Sequence, residues 1–135
     1  MPKWIAISFS LLVLLACQPT EIDDSMLVLY QQPALAVQLS PAAAPVETPL
    51  QIIVQSDQPI TAISAELSGV SMYMGLIPLR FQKLNTNDSG NSEQWRAEFL
   101  LGACADPAMI WQLNLTLQLA DGQKLSINER FNSSW

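Results

Sequence analysis

The fold class is decided by residues 109–131, which read MIWQLNLTLQLADGQKLSINERF. Apolar side chains occupy every second position of this segment up to Leu119, and mostly polar ones lie between them. A period of two is typical of a β-strand with one buried face and one wetted face. The turn-forming pair Asp121-Gly122 separates this run from a second alternating run that ends at Phe131. The segment therefore predicts an antiparallel β-hairpin.

The length of the connecting loop sets the register of that hairpin. A two-residue loop, Asp121-Gly122, would place Leu119 opposite Lys124 and reverse the faces of the second strand. A three-residue loop that begins at Ala120, with Gly122 in the left-handed conformation, keeps the two apolar faces together. This register predicts two facing pairs: Leu117 with Leu125, and Trp111 with Phe131.

The rest of the chain repeats the alternation in shorter runs that are punctuated by Pro, Gly, Asn and Asp. Eight strands are predicted: Met26–Tyr30, Leu35–Ser40, Leu50–Ser56, Thr61–Ser68, Pro78–Leu84, Glu93–Leu101, Met109–Ala120 and Gln123–Phe131. Seven or eight short antiparallel strands without a helical period favour an all-β, immunoglobulin-like sandwich over residues 26–135. That fold by itself specifies no function.

Charge and composition exclude several classes of function. The net charge is −6, and Lys3 is one of only six Lys and Arg residues, so no basic stripe is present for a nucleic-acid backbone. Histidine is absent, which removes the commonest metal ligand and the usual general base near neutral pH. Imidazole zinc sites, Ser-His-Asp triads and Cys–His dyads are therefore excluded. Without an activating histidine or a second cysteine to resolve a disulfide, we do not expect an enzyme.

The first sixteen residues have the form of an export signal. Lys3 is followed by an uncharged apolar run to Ala16, which is too short to span a bilayer and suits the core of a signal peptide. The segment Leu14-Leu15-Ala16-Cys17 resembles the lipobox of bacterial lipoproteins, although Leu15 departs from the commoner Ala, Ser, Thr or Val. Ordinary secretion with a free Cys17 is the alternative, and a transmembrane anchor is less favoured.

The lipobox resemblance implies cleavage before Cys17, diacylglycerol on its sulfur and an acyl chain on its amine. Several acyl chains give a stable membrane anchor. Residues 17–25 would then form the lipidated tether, and Gln18, in place of Asp, favours the outer membrane, facing the periplasm. A lipidated Cys17 cannot form a disulfide, so Cys104 would be an unpaired thiol in an oxidising compartment.

Two irregular segments gather most of the remaining sulfur. Met72 and Met74 lie in one of them, and Cys104 and Met109 lie in or beside the other. In an extended chain Met72 and Met74 would share a face, with Cα atoms about 6.6 Å apart. Thioether and thiolate donors select Cu(I) over oxygen-preferring ions. Gly75 and Gly102 would let the backbone approach closely beside such a site.

Plain packing explains the same residues in another way. Methionine fills irregular gaps in a core, and free cysteine is among the most buried residue types. Met109 in particular continues the apolar face of its strand beside Trp111. Burial would also protect a lone exported thiol such as Cys104 from oxidation. Both interpretations stay open on the sequence alone.

The segment GVSMYMGLIP, residues 69–78, resembles the small periplasmic YtkA-like and FixH-type domains. Those domains are immunoglobulin-like modules linked to copper handling and to the assembly of cytochrome oxidase. The resemblance extends over roughly residues 50–119, but it carries over at motif level only Met72, Met74, Gly75 and Pro78. Together with the lipobox resemblance, it implies a Cu(I)-binding lipoprotein whose partners are the membrane, through Cys17, and an envelope protein. The alternative is a metal-free envelope module that contacts another protein through a sheet edge or its apolar surface.

Overall fold

The structure, a computed structural model, describes residues 23–85 and 91–135. These residues form nine β-strands: β1 Leu27–Gln32, β2 Leu35–Ser40, β3 Leu50–Ser56, β4 Ile60–Gly69, β5 Leu76–Leu79, β6 Gln82–Leu84, β7 Glu93–Phe99, β8 Ile110–Leu119 and β9 Lys124–Asn132. The described residues contain no helix, and so none that could cross a membrane. The predicted signal peptide and Cys17 lie outside the described residues.

The strands form two antiparallel sheets that pack as a β-sandwich. One sheet has the order β1-β2-β3-β7-β6, and the other has the order β5-β4-β8-β9. When β1 is set aside, the two orders correspond to strands A-B-E-D and C′-C-F-G of an immunoglobulin sandwich. The predicted all-β sandwich is confirmed. The described residues form nine strands where eight were predicted, because the predicted strand Pro78–Leu84 is divided into β5 and β6.

The predicted strand Pro78–Leu84 was wrong as a single element. The chain leaves β5, which pairs with β4, and enters β6, which pairs with β7 in the other sheet. Leu79 is buried and Phe81 packs against the same core, so the alternation continues through the crossing and hides it. Strands β2 and β3 match their predicted bounds, and the ends of the other predicted strands differ by at most two residues.

The hairpin of β8 and β9 has the predicted register. Leu117 pairs with Leu125, and Trp111 pairs with Phe131. The three-residue loop is closed by the Leu119 N–H donating to the Gln123 carbonyl at 2.9 Å. These contacts confirm the interpretation of the deciding segment.

The loop residues take the conformations that their types favour. Gly122 has φ +88°, in the left-handed region where a side chain is disfavoured. The Asp121 carboxylate accepts a hydrogen bond from the Gln123 N–H at 2.9 Å, an Asx turn. The conformations of Asp121 and Gly122 thus favour the three-residue loop, which keeps the apolar faces of the two strands together.

The core lies between the sheets and is centred on Trp111, whose indole N–H donates to the Ser133 hydroxyl at 3.3 Å. All buried side chains of the described residues fall between Leu35 and Ser133. A chain that begins at Gln18 therefore contains the whole of this core and is expected to fold without the predicted signal peptide.

Candidate metal centre

Two loops at one end of the sandwich carry the predicted sulfur ligands. Residues 70–75 join β4 to β5, and residues 100–109 join β7 to β8. The Val70 N–H donates to the Ile110 carbonyl at 2.8 Å. In return, the Ile110 N–H donates to the Ser71 hydroxyl at 3.1 Å. These two hydrogen bonds hold the base of the first loop against the end of the second.

Gly69 makes the tightest approach in this region. A Cβ atom on Gly69 would lie 2.1 Å from the backbone oxygen of Met72 and 2.2 Å from the methyl carbon of Met109. The chain therefore bends sharply at 70–72 and folds back over the end of β4. The sequence predicted that Met72 and Met74 would share one face of an extended strand, and because of this bend they do not.

The other two glycines have roles that differ from the predicted close approach. Gly75 has φ +82°, and a Cβ there would meet nothing within 4 Å, so conformation and not space requires glycine. A Cβ on Gly102 would lie 3.8 Å from the methyl carbon of Met74, which is ordinary van der Waals contact. The sequence does not reveal the role of Gly69, because the Met72 oxygen that excludes a side chain there becomes adjacent only after the bend forms.

The structure brings the sulfur atoms of Cys104 and Met72 into contact. The Cys104 thiol donates a hydrogen bond to the Met72 sulfur across 3.3 Å. Cys104 is 8% exposed, whereas Met72 is 44% exposed. Cys104 is a free thiol. A nearly buried thiol is thus covered by a thioether that solvent can reach.

The two remaining predicted ligands lie on either side of this pair. Met74 is half-exposed, and its methyl group lies beside Gly102, two residues before Cys104. Met109 is almost fully buried and packs under the bend at Gly69 as part of the main core. Met74 is therefore the better placed of the two to reach an ion at the surface, and Met109 serves the packing.

A soft cation held between the Cys104 and Met72 sulfurs would require only a small movement of the pair. With metal–sulfur bonds of about 2.3 Å, two ligands in a trigonal site lie about 4.0 Å apart. The Met72 sulfur would therefore move outward by well under 1 Å from its 3.3 Å contact, which its exposed side chain permits. Among residues 23–85 and 91–135, no three His, Cys, Asp or Glu side chains cluster to hold a metal ion.

The perturbed carboxylates belong to other parts of the domain. The Lys83 ammonium and the Ile60 N–H lower the pKa of Glu93 below its ordinary value. Backbone and hydroxyl hydrogen bonds from Ser25 lower the pKa of Asp23. Asp106, in the loop that carries Cys104, accepts a hydrogen bond from the Ala108 N–H at 3.0 Å. Within residues 23–85 and 91–135, the sulfur pair thus has no charged side chain among its hydrogen-bond partners.

The fold and the sulfur pair together define an all-β sandwich with a thiol–thioether contact between two loops. No protein-family model matches the chain, and no curated protein matches it. A DUF4426 family protein from Pseudomonas aeruginosa PAO1 has a similar solved structure, with a TM-score of 0.53. The two chains are 12% identical, and the match covers 81% of this chain and 94% of the other. At that identity the similarity shows a shared fold alone.

Proposed function

We propose that this chain is a membrane-anchored lipoprotein of the bacterial envelope that binds one Cu(I) ion through the sulfurs of Cys104 and Met72, with Met74 as the third ligand. The observation that carries the proposal is the 3.3 Å contact between the Cys104 and Met72 sulfurs. These two residues are 32 positions apart in the sequence and come from different loops. Their contact brings together the donor types that select Cu(I).

The chemistry around the pair supports Cu(I) over other ions. The chain has no histidine, so the imidazole nitrogens that suit Cu(II) and zinc are absent. The pair itself offers no oxygen ligand of the kind that magnesium, calcium and manganese prefer. Near-burial of Cys104 limits its oxidation before an ion arrives. When Cu(I) binds, the thiol releases its proton and the sulfur takes the metal in place of the S–H···S hydrogen bond.

The anchor is proposed from the lipobox-like segment at Leu14 to Cys17. The resemblance of Met72, Met74, Gly75 and Pro78 to YtkA-like and FixH-type domains supports a place in copper delivery or oxidase assembly. Gln18 supports sorting to the outer membrane, facing the periplasm. We infer that lipid holds the domain at a bilayer while an envelope protein exchanges copper with it.

Competition with a coloured Cu(I) chelator tests the metal site. The domain Gln18–Trp135, kept reduced and free of oxygen, should withdraw Cu(I) at 1:1 stoichiometry. Cys104→Ser should abolish competition, and Met72→Leu should weaken it by more than about tenfold, since even the loss of a residue that only supports a ligand costs that much. The matched control is Met26→Leu, which removes an exposed thioether that is not among the proposed ligands.

The possible results separate the two functions. Equal competition by wild type and Cys104→Ser, or no competition at all, would refute the copper site and favour a metal-free interaction module. Loss in Cys104→Ser with no effect of Met26→Leu would support the copper site. The anchor is tested separately: Cys17→Ser should move the protein from the membrane fraction to the soluble fraction, and the mass of the mature wild-type chain should include its acyl groups.

A further inference from the structure

The exposed large apolar side chains are concentrated in four short stretches of the chain. Within the described residues, the large apolar side chains with the highest exposure are Met26, Leu27, Val28, Val70, Met72, Tyr73, Met74, Leu76, Leu100 and Trp135. They lie at the start of β1, in the loop from β4 into β5, directly after β7 and at the C-terminal position 135. An apolar surface of this kind on a small domain marks an interaction site.

Hydrogen bonds place these stretches at the same end of the sandwich. The Ala42 N–H donates to the Ser25 hydroxyl at 3.0 Å, which ties the residues before β1 to the loop between β2 and β3. The Glu47 N–H, from that same loop, donates to the Leu101 carbonyl at 2.8 Å. The Ser134 N–H donates to the Ala44 carbonyl at 3.0 Å and so holds the C-terminal residues there as well. With the Val70 and Ser71 contacts to Ile110, all four stretches meet. We call this end of the domain the apolar tip.

The charges on the apolar tip all have one sign. Its loops comprise residues 23–26, 41–49, 70–75, 100–109 and 133–135, and they carry four carboxylate side chains with no Lys or Arg. The carboxylates are Asp23, Asp24, Glu47 and Asp106. Two copies meeting tip to tip would bring these acids together, which opposes a symmetric dimer. Anionic lipids would also be repelled, so a lipid surface that accepts the tip carries little negative charge.

We propose that the apolar tip docks on the surface of a bilayer that is rich in zwitterionic lipid. This inference depends on the proposed anchor for its proximity argument. From Cys17 to Asp23 the chain can reach at most about 20 Å, so lipid on Cys17 would keep the tip next to the membrane. Tyr73 and Trp135 are the most exposed large apolar residues of the tip, and both residue types favour the boundary between lipid headgroups and acyl chains.

Docking in this orientation also locates the sulfur pair. Met72 and Met74 belong to the apolar tip, and Cys104 lies directly beneath Met72. The sulfurs would therefore face the bilayer. Replacing both methionines by leucine keeps the apolar surface and removes the thioethers. Lipid docking thus requires only the apolar surface of Met72 and Met74, whereas copper binding requires their sulfur atoms.

The deciding experiment anchors the metal-free domain artificially and asks which end touches lipid. Gln18–Trp135 with an N-terminal hexahistidine is bound to phosphatidylcholine vesicles that contain a nickel-chelating lipid, so the result does not depend on modification of Cys17. Tryptophan emission is compared between vesicles of brominated and ordinary phosphatidylcholine. Bromine quenches the indole groups that contact the bilayer, and we expect quenching that disappears in Trp135→Phe.

A second reporter supplies the matched control. Gln123 is exposed in the loop between β8 and β9, which lies at the far end of the sandwich from Trp135. Gln123→Trp, added to Trp135→Phe, should not restore the quenching. Met72→Leu with Met74→Leu should keep it, whereas Tyr73→Ser with Leu76→Ser should weaken it. Added anionic phosphatidylglycerol should not strengthen it.

Three results would refute the docking. One is an unquenched Trp135 on anchored wild-type protein, which would leave the tip to a protein partner. Another is equal quenching in Trp135→Phe, which would come from Trp95 or Trp111. The third is equal quenching from the reporter at position 123, which would indicate that the domain has no preferred orientation. A negative result in the quenching experiment does not change the outcome of the chelator competition or of the Cys17→Ser fractionation. The docking, the copper site and the anchor can therefore each be refuted separately.

Discussion

Gly69→Ala is the substitution that most directly tests how the bend builds the sulfur pair. The new Cβ would lie 2.1 Å from the Met72 backbone oxygen, and such contacts are essentially never shorter than 3.0 Å, so one of the two must move by about 0.9 Å. The methyl group of Met109 can rotate away, but the Met72 oxygen is backbone and moves only with the whole bend. The Met72 side chain moves with it, away from Cys104.

The expected magnitude follows from overpacking at a buried contact. Forcing an extra carbon into a packed region costs about 1–3 kcal/mol, and the backbone contact places Gly69→Ala in the upper half of that range. For a domain of this size, about 2 kcal/mol corresponds to a fall of roughly 10 °C in the melting temperature. The affinity for Cu(I) should fall as well, because the bend that positions Met72 is lost.

Thermal unfolding followed by circular dichroism, together with chelator competition, measures both effects. The matched control is Gly75→Ala in the same loop. Gly75 has φ +82° and open space around it, so alanine there costs only about 1 kcal/mol of backbone strain. If Gly69→Ala melts within about 2 °C of wild type and competes equally for Cu(I), the bend does not hold the sulfur pair and the reasoning fails.

Three further predictions concern the support and chemistry of the domain. Glu93→Gln should cost about 1–2 kcal/mol at pH 7, because the Glu93 carboxylate joins Lys83 to the Ile60 N–H of the other sheet. Because the pKa of Glu93 is lowered in the fold, its carboxylate stabilises the domain above the ordinary value of 4.5, and this stabilisation is lost as the pH falls. Denaturant unfolding should therefore show that the difference in unfolding free energy between wild type and Glu93→Gln shrinks below pH 4.5. A difference that stays constant would contradict this. Ser71→Ala removes the acceptor of the Ile110 N–H, so it should cost about 0.5–1 kcal/mol in thermal unfolding and weaken Cu(I) binding less than Gly69→Ala; no change in either would contradict its role. Cu(I) affinity of the wild-type domain should rise with pH by up to about tenfold per unit, because binding releases the thiol proton, and a flat profile in chelator competition would exclude thiolate ligation.

The local alternation of apolar residues was enough to predict most of the fold. In the β8–β9 hairpin, the apolar residues of both strands must lie on the same buried face, and only the three-residue loop allows this. Leu117 is therefore paired with Leu125. The same local rule failed at residues 78–84. There Leu79 ends β5, Phe81 lies in the crossing before β6, and both side chains face the same core, so alternation along the chain does not reveal that the strand changes sheet.

The sequence nominated the candidate sulfur ligands, Met109 among them, but it did not predict how they are arranged. Residue chemistry alone selected Met72, Met74 and Cys104 as soft donors. The bend at 70–72 could not be predicted, because the contact between Gly69 and the Met72 oxygen appears only when the loop folds back. The different fates of Met72, which contacts the thiol, and Met109, which packs in the core, depend on that bend as well.

Short-range order along the chain was thus determined by sequence, because strand periodicity and turn conformation depend on neighbouring residues. The hairpin at 109–131 and the left-handed Gly122 are the clearest cases. Only the tertiary structure decided that Cys104 and Met72 touch and that the apolar side chains of four separate stretches share one end. The physical reason is that both features depend on how the two sheets stack. Stacking brings together residues that are far apart in the sequence, and the local alternation of apolar residues does not predict such contacts.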